Sequence, residues 1–294
     1  MVNIELKIPE EWFAAEVRGS DYIPREKKEL WAIQLDMVYK VQQICEKYGI
    51  RYFADAGTML GAVRHRGFIP WDDDIDIMMP AKDYDMFIEI AKQELKDPYF
   101  LQTDWTDECC YCHAKIRRSD TTGVLSKDVA ANFSFNQGIF VDIFPMEYVP
   151  EDEVEYRKYI DHLWMIKKEM LLKRSRWWMY ERDNNELHDE MLKLRDYYTV
   201  LRRKYQDSGS NTIANLSLPS LKNEIRKDMT LYNNVVYAPF EMIKLPIPVN
   251  YDAILTRQYG NYMTPVRGAS CHGDVLVDTN ISYKDTPILK EKQA

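Results

Sequence analysis

The stretch GFIPWDDDIDIMMP, residues 67 to 80, holds four aspartates within five positions, between Pro-Trp and an apolar Ile-Met-Met-Pro. Adjacent carboxylates repel, so such a cluster costs stability and drives protons onto some of its members unless a cation is present. Hard divalent cations such as Mg²⁺ take carboxylate oxygens as ligands. The alternation in DIDIMM places Asp74 and Asp76 on one face of a strand and Ile75 and Ile77 on the other. Two carboxylates so related can bind one metal or a pair. A third carboxylate from a neighbouring strand would complete the site. Asp142 fits that part, because it alone breaks the apolar run Ile139–Phe144, where an unpartnered buried charge would be expensive.

Other readings of the cluster fit less well. A calcium loop beginning at Asp72 needs glycine at its sixth position, where this chain has Ile77. A solvated loop does not explain the regular alternation that follows. A sugar-nucleotide glycosyltransferase also uses Asp-x-Asp, but after several strand–helix units; here a single short strand precedes the motif.

The elements around the cluster follow from pattern. Residues 25 to 48 repeat apolar side chains at Leu30, Ile33, Met37, Val41, Ile44, Cys45 and Tyr48, one face of a helix that Gly49 can end. IRYFADA reads as a strand, Gly57 to Val63 as a short helix, and residues 82 to 96 as another helix. YFLQT, CYCHAKI, TTGVL and GIFVDIF supply further strands, for a mixed sheet of about five. From 151 to about 206 the pattern changes to long helices rich in Lys, Arg, Trp and Tyr. LPIPVNYDAILTRQYG reads as a loop entering a short helix, and the last twenty residues as irregular. The expected organisation is an α/β catalytic core over 1–150, a helical region over 151–235 and a C-terminal segment, 236–294, packing on the core.

Composition narrows the class. The 294 residues are 46% hydrophobic and 29% charged, ample for a core, and 39 basic against 47 acidic residues leave a net charge of −8. That balance offers a nucleic-acid backbone no general attraction. The opening MVNIELKIPEEWF lacks the basic and apolar regions of a secretory signal, and no stretch has the apolar length of a membrane span. With five cysteines, an odd number, the expectation is a cytoplasmic protein with reduced thiols.

Gly57 and Thr58 sit where a strand passes into a helix, a place where a bare backbone and a helix N-terminus can receive phosphate. Gly-Thr followed by Asp-Ile-Asp-Ile resembles the nucleotide-binding pattern of polymerase-β-like nucleotidyltransferases. The longer block YFADAGTMLGAVRHRGFIPWDDDIDI resembles the signature of the LicD family of phosphocholine and alditol-phosphate transferases. AKIRRSDTTG (114–123), FVDIFP (140–145) and YGNYMTP (259–265) follow in family order, so the resemblance covers roughly residues 25 to 275. It implies a nucleotidyltransferase-like core with an added helical region. It implies also Mg²⁺ or Mn²⁺ on Asp74, Asp76 and Asp142, and transfer of a substituted phosphate from a CDP-linked donor to a glycan or lipid-linked glycan hydroxyl. Asp142 or Asp72 would accept the hydroxyl proton. Arg64, Arg66, Lys115 and Arg117 are candidate phosphate clamps. The region 151–235 carries least resemblance and is where acceptor choice would reside.

Two further motifs invite a role. ECCYCH (108–113), with Cys271 and His272, has the residue types of a zinc site but not its pair spacing; small buried thiols are the preferred reading. Segment 157–182 carries eight Lys/Arg against three Asp/Glu, interleaved with Trp164, Trp177 and Trp178. Such a helix can lie on the inner face of an anionic membrane or present aromatic rings to a sugar, or simply pack.

Overall fold

The computed structural model describes residues 1–129, 133–217, 226–267 and 275–290. The chain runs through β1 (Glu16–Arg18), β2 (Asp21–Ile23), α1 (Arg25–Tyr48), β3 (Phe53–Ala54), α2 (Ala56–Arg64), β4 (Asp76–Pro80) and α3 (Ala81–Glu94). It continues with β5 (Tyr99–Gln102), β6 (Ala114–Arg118), β7 (Thr122–Leu125), α4 (Ser126–Val129), β8 (Ile139–Tyr148), α5 (Glu153–Tyr180) and α6 (Asn185–Arg202). The rest is β9 (Thr212–Ala214), β10 (Lys227–Asp228), β11 (Val235–Phe240), β12 (Ile243–Pro248), α7 (Tyr251–Tyr259), β13 (Val275–Asp278) and α8 (Pro287–Lys290). No described helix is long and apolar enough to cross a membrane.

The expected α/β class is the one observed, with a larger sheet than expected. Seven strands form it, in the order β10-β9-β8-β4-β3, with β6 also on β8 and β5 on β6. Ten-residue β8 is the centre: β4 pairs with it in parallel, β6 and β9 antiparallel. Its apolar run is buried on both faces, as a central strand requires. Helix α1 begins after Pro24 and ends at Gly49, whose left-handed φ of 68° a glycine adopts without a Cβ clash. Its buried side packs Trp31, Ile33, Leu35, Val38 and Val41 into the core that holds β3, β4, β6 and β8. Residues of the β11–β12 hairpin and α7 join the same core.

Two expectations fail here, both over strands of two-stranded ribbons. The prolines of KLPIP argue for a loop, yet β12 pairs with β11 through Pro246 and Pro248. A two-stranded ribbon leaves proline free of the ladder positions it could not fill in a central strand. Likewise the C-terminal stretch, irregular by pattern, contributes β13, antiparallel to β7.

Helices α5 and α6 form an antiparallel pair with its own core of Tyr156, Tyr159, Ile160, Leu163, Met170, Leu187, Met191 and Tyr198. Asp152 and Asn184 cap their N-termini by accepting from the amides of Glu155 and Leu187. Trp177 is buried against the ring of His188, centroids 4.0 Å apart, and Trp178 packs edge-on to Phe133 and Phe135. These two tryptophans are packing residues. Trp164 remains half exposed.

The helix pair also holds the segment before β6. CYCHAKI has the pattern of one strand, but β6 begins only at Ala114, and Glu108, Cys110 and Cys112 take left-handed φ values of 56°, 53° and 68°. Each such residue costs about 1 kcal/mol or more. Buried cations from the helices meet the carbonyls that this path turns outward. Arg174 donates to Cys109 O at 2.6 Å, Lys167 to Tyr111 O at 3.1 Å, and Arg202 to Cys112 O. Arg202 also lies 3.0 Å from the fully buried carboxylate of Glu147 on β8.

That last pair yields a stability prediction. Arg202→Leu leaves the buried Glu147 charge only the longer contact with Arg203, at 3.5 Å, and should lower unfolding free energy by up to roughly 3–5 kcal/mol. The double variant Glu147→Leu/Arg202→Leu should recover part of the loss. Urea unfolding followed by circular dichroism measures both.

Candidate active site

The register of the sheet lines up the chemistry. Asp76, the first residue of β4, faces Asp142 on β8, and Asp142 in turn faces Lys115 on β6. Neighbouring strands lie about 4.8 Å apart, so the row runs acid, acid, cation across three strands. Asp142 is therefore set opposite Asp76 across sixty-odd residues of sequence, although the oxygens of Asp74, Asp76 and Asp142 do not form a grouping within 4.8 Å of one another among the described residues. Asp74 is not on the strand, which starts two residues later. The alternation survives nonetheless: Ile75 and Ile77 are fully buried while Asp74 and Asp76 stay partly open. The carboxylates of Asp72, Asp73 and Asp74 offer oxygens within 4.8 Å of one another, a metal-capable grouping among the described residues.

Helix α1 holds this acidic loop from behind. Trp31 donates its indole N–H to Asp72 O at 3.2 Å and Gln34 its amide to Asp73 O at 2.8 Å. Lys27 donates to Pro70 O at 2.7 Å, and the Trp31 ring stacks on Phe68 with centroids 4.6 Å apart. Sequence pattern does not single out these three residues, although their positions 27, 31 and 34 follow one helical stripe.

Helix α2 locks onto the array from the other side. The Asp55 amide donates to Asp76 O at 3.1 Å, and the Asp76 amide donates to Thr58 Oγ1 at 2.9 Å. Ala56 at the head of the helix has φ 45°, a left-handed conformation that costs energy with a Cβ present. Gly57 permits a close approach in this structure. A Cβ there would lie 2.6 Å from Asp72 Oδ2, so the close approach it permits is made by a carboxylate. Asp55 also pairs with buried Lys227 at 2.5 Å, tying the C-terminal part of the chain to the site.

The charges are unequal in their comfort. Burial, then the neighbouring Asp74 and Asp73, pushes the Asp72 carboxyl up to about 8 against the partial relief of Lys27. Asp76 is raised well above the carboxylate range by burial and by Asp74, Asp142, Asp55 and Asp72. Asp142 goes the opposite way: burial alone would raise it, but Lys115 and His113 outweigh that and hold it well below. Lys115 Nζ and His113 Nε2 (2.8 Å) both reach Asp142 Oδ1. His113, which no sequence motif points to as a partner of Asp142, is set by its Nδ1 contact of 3.1 Å with Tyr111 O, the carbonyl that Lys167 also holds.

The candidate clamps divide. Arg66 is exposed at φ 56°, its carbonyl accepting from the Glu241 amide at 2.8 Å. Arg64 donates to Tyr262 O at 2.7 Å, which joins it to the YGNYMTP motif. Lys115 faces Asp142. Arg117 is buried and donates to Gln102 Oε1 at 2.6 Å and Gly138 O at 2.7 Å, so its guanidinium supports the sheet instead of a phosphate. In the cysteine-rich stretch the thiols of Cys109, Cys110 and Cys112 are buried and raised by that burial, the behaviour of packed thiols. Cys271 and His272 lie outside the described residues.

A family model described as LicD/FKTN/FKRP, nucleotidyltransferase domain, matches residues 49–220. The lipopolysaccharide cholinephosphotransferase LicD of Haemophilus influenzae is 28% identical to this chain over 254 residues, covering 80% of this chain and 91% of that protein. The ribitol 5-phosphate transferase FKRP of human and of mouse is 42% identical over 40 residues, 14% of this chain and 8% of that protein.

The crowded carboxylates have a pH signature. A folded-state value near 8 for Asp72, against about 3.9 unfolded, means the folded protein retains a proton that the unfolded chain has released. Its contribution to the stability of the metal-free protein should therefore be full below about pH 4 and decline as pH rises toward 8, at up to about 1.4 kcal/mol per pH unit for one group. Asp76 adds with the same sign. Urea midpoints at pH 5 and pH 8 in EDTA check this, and Asp72→Asn should flatten the decline.

Proposed function

This chain belongs to the LicD family, and on that premise we propose that it is a metal-dependent transferase moving a substituted phosphate from a CDP-linked donor to a glycan hydroxyl. The observation carrying the proposal is the Asp76–Asp142 row beside the Asp72–Asp74 cluster, inside the matched region. The array has the donor chemistry of a hard divalent cation, oxygen only and rich in negative charge. Its elevated Asp72 and Asp76 carboxyls mark a set that cannot all ionise without such a counter-charge. Asp74, Asp76 and Asp142 would hold Mg²⁺ or Mn²⁺, with Asp72 beside them. When bound, the ion supplies neutralisation of the donor diphosphate and of the charge shed onto CMP.

The chain's own groups divide the remaining work. Trp31, Gln34 and Thr58 fix the backbone of the carboxylates, so they meet substrate already in place. Arg66, exposed, and Arg64, on the Tyr262 carbonyl, are the cations available to donor phosphate oxygens. Asp142 is gripped by Lys115 and His113, so the proton of the attacking hydroxyl falls to Asp72, whose carboxylate lies against Gly57 at the head of α2.

The near full-length similarity to a cholinephosphotransferase favours phosphocholine over an alditol phosphate as the transferred group. The acceptor is a surface glycan or its lipid-linked precursor, met on the cytoplasmic face of the membrane. The outer face of α5 suits that setting: Trp164, Met165 and Leu172 are half exposed or more, with Lys168 among them. The α5–α6 pair is the acceptor side of the enzyme.

Incubation with CDP-choline, CDP-ribitol, CDP-glycerol and UDP-sugars tests the reading. We expect CMP release that needs Mg²⁺ or Mn²⁺, and phosphorus NMR showing a phosphodiester on the acceptor. Asp76→Asn and Asp74→Asn should each cut turnover at least about a hundredfold while leaving the protein folded, since loss of even outer-shell groups costs 10–100-fold. Asp142→Ala should cut it as far and also lower stability, because it strands the buried Lys115 ammonium. A glycosidic product without phosphorus would reassign the protein to glycosyl transfer.

A further inference from the structure

Lys115 differs from the other cations around the site in what surrounds it. Its ammonium is buried, with the Phe140 ring centroid 3.8 Å away and that of Tyr111 5.3 Å away. A desolvated ammonium needs an anion, and the register presents Asp142 directly opposite on β8. His113 adds a second donor to the same oxygen. Asp142 thus has a cationic side toward β6 and an acidic side toward β4, where Asp76 stands. A divalent ion on the row must share Asp142 with an ammonium already there.

We propose that Lys115 is the resident counter-ion of the carboxylate row and sets its metal affinity by competing for Asp142. In the metal-free protein the ammonium neutralises part of a charge cluster that would otherwise oppose folding. The same ammonium repels an incoming divalent ion, so the row binds metal weakly until an anionic substrate adds its own negative charge. This rests on the metal site proposed above and goes beyond it in assigning Lys115 a role opposed to metal binding.

The sign of one measurement separates this role from two others. If Lys115 only positioned Asp142, its removal would weaken metal binding; if it only clamped phosphate, metal affinity without substrate would not change. The test is Mn²⁺ binding to the full chain without nucleotide, followed by electron paramagnetic resonance of the free ion. Lys115→Met, which keeps the stem between the two rings, should bind Mn²⁺ about tenfold more tightly or better, as expected when a like charge leaves a site of low dielectric. Its thermal midpoint should fall in EDTA and recover in Mn²⁺, while Lys115→Arg should stay near wild type in affinity. Equal or weaker Mn²⁺ binding by Lys115→Met overturns the proposal. Should that variant not fold, Lys115→Gln, which keeps a donor toward Asp142 without charge, serves in its place: tighter binding supports the proposal, and equal or weaker binding overturns it. Wild-type protein that binds no Mn²⁺, or Asp76→Asn that binds it as wild type does, would remove the metal site and this inference together. Binding that requires Asp76 but is not tightened in Lys115→Met would overturn this inference alone.

Discussion

Mutual repulsion among Asp72, Asp73, Asp74, Asp76 and Asp142 is the constraint around which the rest of the molecule is arranged. Burial sharpens it, because a carboxylate removed from water loses the solvent that would screen its neighbours. Left to itself such an array would open the loop or take up protons. It is kept closed by groups that touch backbone: Trp31 and Gln34 on the loop carbonyls, Thr58 on the Asp76 amide, and the Asp55 amide on the Asp76 carbonyl. These contacts hold the main chain and leave the charge of the side chains to be balanced elsewhere.

Neutralisation is handled at the margins of the array. Lys227 pairs with Asp55 and Lys115 with Asp142, each at one end of the acidic set. Lys27 donates to a carbonyl at the start of the same loop. The cations come from α1, β6 and β10, which the chain visits far apart, so the charge balance of the site exists only in the folded protein.

The α5–α6 pair reaches the centre by a longer route. Its buried Lys167, Arg174 and Arg202 donate to carbonyls of the left-handed stretch 109–112, and the next residue of that stretch, His113, grips Asp142. A region whose composition suggested surface chemistry thus sets one of the site's carboxylates. These three cations do not decorate a solvated face; they over-determine a strained backbone, which is what keeps such conformers populated.

Local pattern was enough for much of this protein. The period of α1, the alternation around Asp74 and Asp76, the lone acid in GIFVDIF and the change to long helices after residue 151 all express which side of an element meets water, a property of neighbouring residues. Asp142 was legible because an isolated carboxylate in an apolar strand has few explanations. What the sequence left open is whatever depends on partners distant along the chain. Prolines in KLPIP hid β12, because their tolerance depends on that strand lying in a two-stranded ribbon. Arg117 and Lys115 look equivalent on one strand, yet β8 and β5 turn the first into a support for carbonyls and Gln102 and the second into the partner of Asp142. Gly57 was legible as a close approach, while the packing of α2 against the acidic loop that sets the Asp72 carboxylate against it was not. Spacing along a chain reports which way a side chain faces, whereas its charge partner is chosen by the register of strands that meet only on folding.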